Sequence, residues 1–230
     1  MGLVKLDKAL HREIQELEES GTAKGDEMVI KKAIKPRNNK GPRYLLQGHG
    51  DKEFMKMNAN SYLGLSLRED MQEAEEKGAA NFGVGPGAVR FISGTYTPHV
   101  ELEENLAKFH DREAGMIFSS AYVTSLGVIY PLTTGDTILI SDELNHNCII
   151  NAMRLSKPAG KAIYNHNDMA DLEEKVKESI GQAKRALVVT DGIFSMRGDN
   201  APLDEMVKIC QKYDKEFEEG IISIVDDSHG

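Results

Sequence analysis

Polar side chains gather directly after the apolar runs in the second half of the chain, where strands are predicted to end. The last ten residues, IISIVDDSHG, bring two carboxylates and an imidazole, from Asp226, Asp227 and His229, after one such run. Ligands of α/β proteins bind outside the carboxyl ends of the strands. This stretch is therefore typical of part of an active site.

Similar groups follow the other predicted strands. In chain order they are Ser119 and Ser120, then Ser141, Asp142 and His146, then His166 and Asn167, and then Asp191 and Ser195. Taken singly, a serine, aspartate or asparagine at such a junction is an ordinary helix N-cap. Because the carboxyl ends of parallel strands meet at one edge of a sheet, the agreement of these loops favours a common site there.

Several motifs that would define other chemistries are absent. The glycines in NFGVGPGAVR, at Gly83, Gly85 and Gly87, do not have the G-x-G-x-x-G spacing of a dinucleotide site, and no clear strand precedes them. A plain loop and a close approach of backbone to a ligand both stay open for this segment. The sequence has no H-x-x-x-H pair and no G-x-S-x-G elbow, so it predicts neither a metal site nor a serine hydrolase.

The imidazole of His146 stands beside Asn145 at a predicted helix start. There it can either cap the helix or lie flat against a planar ligand. Its position alone favours the cap.

Composition excludes several classes of protein. The 230 residues are 40% hydrophobic, and 28 basic against 37 acidic residues give a net charge of −9, which argues against a nucleic-acid footprint. Cys148 and Cys210 are widely separated and suggest neither a disulfide framework nor a zinc site. The amino terminus is charged throughout, and no apolar run approaches membrane-spanning length. We expect a cytoplasmic protein that binds neither nucleic acid nor membrane.

Hydrophobic periodicity predicts the elements that must position these side chains. Residues 3–20 have the pattern of an amphipathic helix stopped by Gly21, and the polar stretch 22–53 is interpreted as an arm with at most one short strand. The predicted strands are GMIF at 115–118, DTILIS at 136–141, KAIYN at 161–165, RALVVTD at 185–191 and IISIVD at 221–226. Helical patterns lie between them, which predicts an α/β fold with a mostly parallel sheet and helices on both faces.

Seven motifs in order carry a resemblance to a known family. They are NANSYLGLS, GPGAVRFISGTYTPHVELEENLAKFH, FSSAYVTSLG, SDELNHNCIINAMRLS, NHNDMADLEEKV, VTDGIFSMRGDNAPLDEM and VDDSHG, running from about residue 58 to the last residue. Together they resemble the α-oxoamine synthases, which depend on pyridoxal 5'-phosphate (PLP). The resemblance implies that residues 58–230 form the large domain of a fold-type-I PLP-dependent transferase, incomplete at its carboxyl terminus. Residues 1–57 would form the N-terminal helix and an arm belonging to the small domain.

The resemblance also implies which residues bind the cofactor ring. Asp226 would hold the pyridine nitrogen protonated, which suits PLP as an electron sink. Strand alternation points Asp227 to the opposite face, so only one of the two carboxylates reaches the ring. His229 would hydrogen-bond the phenolic oxygen, and Ser195 would lie near the same edge.

Four further residues receive roles from the resemblance. His146 would stack on the face of the cofactor, and with His229 it is assigned to the catalytic set. The backbone amides of Ala121 and Tyr122, at a helix start, would hold the phosphate. Asn60 resembles a residue of the substrate pocket.

The family's reaction joins an amino acid to an acyl thioester. The resemblance is strongest to glycine C-acetyltransferase, which implies glycine and acetyl-CoA as substrates in a homodimer. The alternatives are an 8-amino-7-oxononanoate synthase, which uses alanine and a pimeloyl thioester, and a catalytically inactive fragment or partner subunit.

Two features leave the activity of these 230 residues open. The family's Schiff-base lysine, in a T-x-S-K segment after DD-x-H, and its substrate-binding arginine are not in the sequence. We therefore expect an amino-terminal portion of a longer enzyme, inactive by itself. Arg197 stands where many members carry aspartate, which leaves the charge beside Ser195 undetermined.

Overall fold

The computed structural model describes residues 2–230, which form two compact units, 2–95 and 96–230. Residues 58–95 lie in the first unit, whereas the predicted large domain begins at residue 58. That functional boundary stays a prediction. Within residues 2–230, none of the helices combines the length and the apolar composition that a membrane span requires.

The first unit begins with the predicted amphipathic helix, α1 (Gly2–Glu19). Gly21 follows it with a positive φ of 69°, and the N–H groups of Thr22 and Ala23 both bond to the carbonyl oxygen of Leu17. Glycine adopts this conformation without a steric penalty and closes the last helical turn. The predicted helix and its glycine stop are confirmed.

The stretch predicted as an arm contains more strand than the sequence indicated. It forms an antiparallel sheet in the order β1-β2-β3, made of β1 (Ile30–Ile34), β2 (Arg43–Leu46) and β3 (Glu53–Phe54). The expectation of at most one short strand is therefore wrong. The strands are short and β1 is almost wholly exposed, so no buried face imposed an alternating pattern.

A turn signal for this sheet was present in the sequence. Asn38 and Asn39 have positive φ angles of 51° and 60°, and Arg37 and Lys40 on either side exchange both backbone hydrogen bonds. Two residues with positive φ form the tight hairpin turn that matches the twist of paired strands, and asparagine tolerates this conformation.

The remainder of the first unit is helical or irregular. It contains a 3₁₀ helix (Tyr62–Leu67), α2 (Glu69–Phe82) and a π-helical turn (Arg90–Gly94). The glycine-rich segment between α2 and the π turn is a loop, and Gly83 and Gly87 have positive φ there.

The second unit alternates helices and strands. Its elements are α3 (Thr97–Phe109), α4 (Ala121–Leu132), β4 (Thr137–Asp142), α5 (Asn147–Leu155), β5 (Gly160–Tyr164), α6 (Met169–Ser179), β6 (Arg185–Asp191), α7 (Leu203–Tyr213), a 3₁₀ turn (Asp214–Glu216) and β7 (Ile221–Asp226). All strand pairs are parallel, in the order β5-β4-β6-β7. The predicted α/β fold with helices on both faces is confirmed.

One predicted strand is not formed. Residues 115–118 have no strand pairing; instead, the Ile117 N–H donates to Glu103 Oε1 of α3 at 2.9 Å. Gly115 lies so close to α3 that a Cβ there would be 2.7 Å from the Glu103 carbonyl oxygen. The apolar run therefore packs against α3 and not within the sheet.

Two cores cover the two faces of the parallel sheet. Leu139 and Leu187 are fully buried on the face that packs against α4 and α5, whereas Ile140 and Val188 are fully buried on the face that packs against α6 and α7. Side chains alternate between faces along a strand. The same alternation decides which helices each strand-final residue meets.

Candidate active site at the carboxyl edge of the parallel sheet

Asp226, the last residue of β7, is directed toward α4. It shares its face with Ile224, which packs on the α4 and α5 core. Asp226 Oδ2 accepts a hydrogen bond from Ser125 Oγ at 3.1 Å, and Oδ1 accepts from the Ser228 N–H at 3.2 Å and from Ser228 Oγ at 2.5 Å. Burial raises the pKa of Asp226, but the hydrogen bonds from Ser228 and Ser125 outweigh burial and hold that pKa below its usual range. The carboxylate is therefore ionised at neutral pH.

The N-terminus of α4 retains unused donors. Ser120 caps the helix, since its Oγ accepts from the Val123 N–H at 3.2 Å and its carbonyl oxygen accepts from the Thr124 N–H at 2.9 Å. Among the described residues, no hydrogen bond engages the N–H groups of Ala121 and Tyr122. Unpaired amides at the positive end of the helix dipole favour an anion.

A glycine fixes the path of the chain into this helix. A Cβ at Gly127 would lie 2.5 Å from the Phe118 ring, so only glycine lets the ring pack on α4 in this way.

One cavity of about 360 Å³ contains both features. Its lining comes from α4, α5 and the ends of β6 and β7: Ala121, Thr124, Ser125, Val128, Ile129, Ile149, Val189, Ile224, Val225, Asp226, Asp227 and Ser228. The volume falls in the range of small-ligand sites, and the walls are mostly apolar with few polar groups. A ligand with an anionic group at one end and a protonated nitrogen at the other fits this arrangement.

His146 begins α5 beside the same carboxylate. Its ring Nδ1 accepts from the Cys148 N–H at 3.3 Å, and its backbone N–H donates to Asp191 Oδ2 at 2.9 Å. The Cys148 sulfur lies 3.0 Å from His146 Nδ1 and 3.5 Å from Asp226 Oδ2. The interpretation of His146 as a helix cap is confirmed; stacking on a cofactor stays a prediction.

Asp191 and Asp226 are direct neighbours in the register of β6 and β7. Both face α4 and α5, so their charges repel. Burial first, and the charge of Asp226 in addition, raise the pKa of Asp191 to about 6, against the lowering effect of the His146 N–H. Of this pair, Asp226 carries the charge more readily and Asp191 the proton.

Substituting Asp191 by asparagine is expected to stabilise the fold at neutral pH. A carboxyl whose folded pKa is raised binds more protons folded than unfolded, so its cost is absent near pH 4 and complete above about pH 6. The asparagine side chain removes that cost and keeps an oxygen for the His146 N–H. We expect Asp191→Asn to gain about 1 kcal/mol at pH 7.5 in urea unfolding and little at pH 4.5. The exposed Asp136→Asn should show no such pH-dependent gain; equal effects of both variants would contradict the assignment.

His166 is held between two carboxylates, a role that the sequence left open. Its Nδ1 lies 3.0 Å from Asp142 Oδ1 and its Nε2 lies 2.9 Å from Asp199 Oδ2. The ring packs edge-on against Phe194 with centroids 4.4 Å apart. His166 thereby ties the loop after β6 to the ends of β4 and β5.

That loop carries Ser195 and Arg197. Arg197 Nε lies 3.4 Å from Asp199 Oδ2, so its charge is paired with Asp199, and the side chain is largely exposed. The Phe194 N–H donates to the Asp199 carbonyl oxygen at 3.0 Å and closes the turn, and Ser195 stands exposed within it. No hydrogen bond among the described residues links Ser195 to Asp226, so its role at the cofactor edge stays a prediction.

The other predicted site residues lie as follows. His229 is half-buried in the turn after β7, three residues beyond Asp226. The Asp227 carboxylate lies beside Gly192, where a Cβ would come within 2.6 Å of its Oδ1. Asn60 is an exposed residue of the first unit. The roles of His229 and Asn60 stay predictions.

The fold and the site define a class of protein. The profile of the family described as aminotransferase class I and II matches residues 52–230, and the chain belongs to this family. PLP is the family's cofactor, which confirms the cofactor predicted from the resemblance.

Individual relatives narrow the likeness further. An 8-amino-7-oxononanoate synthase of Thermosipho melanesiensis is 44% identical over 179 residues, covering 78% of this chain and 44% of the relative. Another, from Bacillus velezensis, is 43% identical over 189 residues and covers 82% and 46%. The solved serine palmitoyltransferase of Sphingomonas wittichii has a TM-score of 0.80 at 26% identity, over 97% of this chain and 52% of that one. The resemblance to α-oxoamine synthases is confirmed, and the chain spans about half the length of these relatives.

Proposed function

We propose that this chain forms the PLP-binding part of an α-oxoamine synthase of the 8-amino-7-oxononanoate synthase type. The observation that carries the proposal is the single cavity lined by both the α4 N-terminus and the Asp226 carboxylate. The names of the relatives favour the 8-amino-7-oxononanoate synthase alternative over glycine C-acetyltransferase, the first expectation from the sequence.

The cavity's polar groups suit the two ends of PLP. The Ala121 and Tyr122 N–H groups would bind the phosphate, with the helix dipole adding attraction. The ionised Asp226 would accept a hydrogen bond from the protonated ring nitrogen, a charge-assisted contact. Bound PLP supplies an electron sink for negative charge on the α-carbon of an amino acid.

Three further residues complete the proposed site. The exposed ring of His146 would lie along the cofactor face, since its Nδ1 is already occupied as a cap. His229 would donate to the phenolic oxygen, and Ser195 would approach the same edge. The loop that carries Ser195 is braced by His166.

The proposed substrates are an α-amino acid and an acyl thioester, with alanine and a pimeloyl thioester as the favoured pair. Asn60 would contribute to the substrate pocket. The homodimer expected from the family resemblance stays a prediction, which sedimentation analysis would check.

A substrate panel tests the proposed function. The protein is purified as its own cell makes it, because the chain spans about half of its relatives' length. Alanine, glycine and serine are each combined with pimeloyl-, acetyl- and palmitoyl-CoA, and free CoA is measured with a thiol reagent. We expect release with alanine and pimeloyl-CoA to exceed every other pair by about tenfold or more.

Two results of the panel would contradict the proposal. A preference for glycine with acetyl-CoA would favour the glycine C-acetyltransferase assignment instead. CoA release that does not depend on added PLP, after dialysis against a carbonyl reagent, would contradict a PLP-dependent reaction.

A further inference from the structure

Side chains from two helices contact the Asp226 carboxylate. Besides the Ser125 hydroxyl at 3.1 Å, the Cys148 sulfur approaches the same oxygen, Oδ2, at 3.5 Å. Ser125 lies on α4 and Cys148 on α5, and their exposed fractions are 9% and 1%. The buried Ser125 hydroxyl and the buried Cys148 thiol therefore share one neighbour, the Asp226 Oδ2 atom.

The Ser125 proton has two acceptors within reach. Its oxygen lies 3.3 Å from the Ala121 carbonyl oxygen and 3.1 Å from Asp226 Oδ2. A serine has one O–H to donate, and a hydrogen bond to a carboxylate is about twice as strong as one to a neutral carbonyl. The Ser125 hydroxyl therefore belongs to Asp226.

The Cys148 thiol joins the carboxylate to the imidazole. Burial and the nearby Asp226 charge raise the pKa of Cys148, so the sulfur keeps its proton and acts as a donor. It lies between His146 Nδ1 at 3.0 Å and Asp226 Oδ2 at 3.5 Å. The Nδ1 atom accepts from the Cys148 N–H, so the same residue fixes the ring of His146.

We infer that Ser125 and Cys148 are positioning residues, which fix the Asp226 carboxylate and the His146 ring relative to each other for contact with a bound PLP ring. This inference rests on the proposed function. Ser125 and Cys148 act through Asp226 and His146, and the reacting atoms lie beyond them. Further titratable groups near Asp226 include Asp191 on β6, and Asp227 and His229 in the adjoining turn.

The experiment measures the pKa of Asp226 directly, without cofactor. Carboxyl ¹³C NMR of aspartate-labelled protein is titrated, with Asp226→Asn assigning the signal. We expect Ser125→Ala to raise the Asp226 pKa by about one pH unit, a tenfold change in proton affinity, and Cys148→Ala by less, because a thiol is a weaker donor. Cys148→Ser, which keeps a donor, should retain the wild-type value.

Matched controls exist on α6 and α7. Ser179 is a buried helical serine bonded to the carbonyl oxygen four residues before it, and Cys210 is a buried cysteine in the opposite core. Ser179→Ala and Cys210→Ala should leave the Asp226 pKa unchanged. Far-UV circular dichroism checks folding, and Ser125→Cys replaces Ser125→Ala if the alanine variant does not fold.

A second measurement with ¹⁵N-labelled PLP separates the two claims. In Ser125→Ala and Cys148→Ala the ¹⁵N signal of the bound ring should move from its wild-type position, because the Asp226 carboxylate is no longer fixed against the ring nitrogen. An unchanged Asp226 pKa in both variants overturns the inference even when PLP binds normally. Absence of PLP binding to the wild type overturns the proposed function instead, while the carbon titration still decides whether Ser125 and Cys148 hold the carboxylate.

Discussion

Replacing Asp226 with asparagine is expected to weaken PLP binding about tenfold and to leave the bound ring nitrogen unprotonated at neutral pH. Hydrogen bonds to charged groups contribute roughly 1.5–3 kcal/mol and neutral ones roughly 0.5–1.5 kcal/mol, so losing the charge but not the shape costs about one factor of ten. The amide still accepts from Ser125. Calorimetric titration with PLP measures the affinity, and absorbance against pH reports the protonation state of the ring.

Asp227→Asn is the matched control for this prediction. It makes the same chemical change one residue later, in a side chain that lies beside Gly192. Its PLP affinity should stay within about threefold of the wild type, because Asp227 lies in the turn after β7 and the proposed contact with the ring nitrogen is made by Asp226 alone, although both residues line the cavity. Equal losses in both variants would mean that the negative charge of the cavity matters and not a specific contact.

Three neighbouring strands end in aspartate, and the three carboxylates have different surroundings. Asp142 of β4 faces α6 and meets His166, Asp226 of β7 meets a hydroxyl and a thiol, and Asp191 of β6 is raised in pKa by burial. Of these three strand-final carboxylates, Asp226 is the one that lines the cavity. The division suits a ligand with a single protonated nitrogen.

The parallel sheet was predictable because its two central strands, β4 and β6, are buried on both faces. RALVVTD contains the continuous apolar run ALVV, and β6 is buried along nearly its whole length. IKKAI of β1 offers no such signal, since its residues are exposed and its pairing depends on turns at Asn38–Asn39. Local turn chemistry, and not hydrophobic pattern, would have predicted that sheet.

The candidate site likewise contains residues that local sequence rules predict and residues that they do not. Asp226 and the start of α4 follow from local rules, because strand ends and helix N-termini can be read from neighbouring residues. Ser125 could not be found in this way, since it lies inside a helix and its partner is 101 residues away. The contact of Cys148 with Asp226 spans 78 residues. Such contacts are set by how the helices pack on the sheet, which no short motif encodes.

Removing the imidazole of His166 is expected to destabilise the second unit by about 3 kcal/mol at pH 6. The Asp142 side chain is 0% exposed and that of His166 only 10%, so His166→Ala leaves a buried carboxylate without its cation. The loop of residues 193–200 also loses the contact between its Asp199 and His166. Urea unfolding of both proteins at pH 6 measures the loss, and the exposed His110→Ala should cost less than about 0.5 kcal/mol.

The difference in unfolding free energy between the wild type and His166→Ala should decrease as the pH rises. Burial lowers the pKa of His166, but the hydrogen bonds that its ring donates to Asp199 and Asp142 outweigh burial and raise that pKa above its usual value. A neutral imidazole has one N–H, whereas both carboxylates here need a donor, so only the charged ring satisfies both. Stability from a raised histidine pKa is fully present below the unfolded value of about 6.5 and is lost as pH rises through the folded value. The gap between wild type and His166→Ala should therefore be smaller at pH 9 than at pH 6, and a constant gap would mean that His166 contributes packing against Phe194 and not charge.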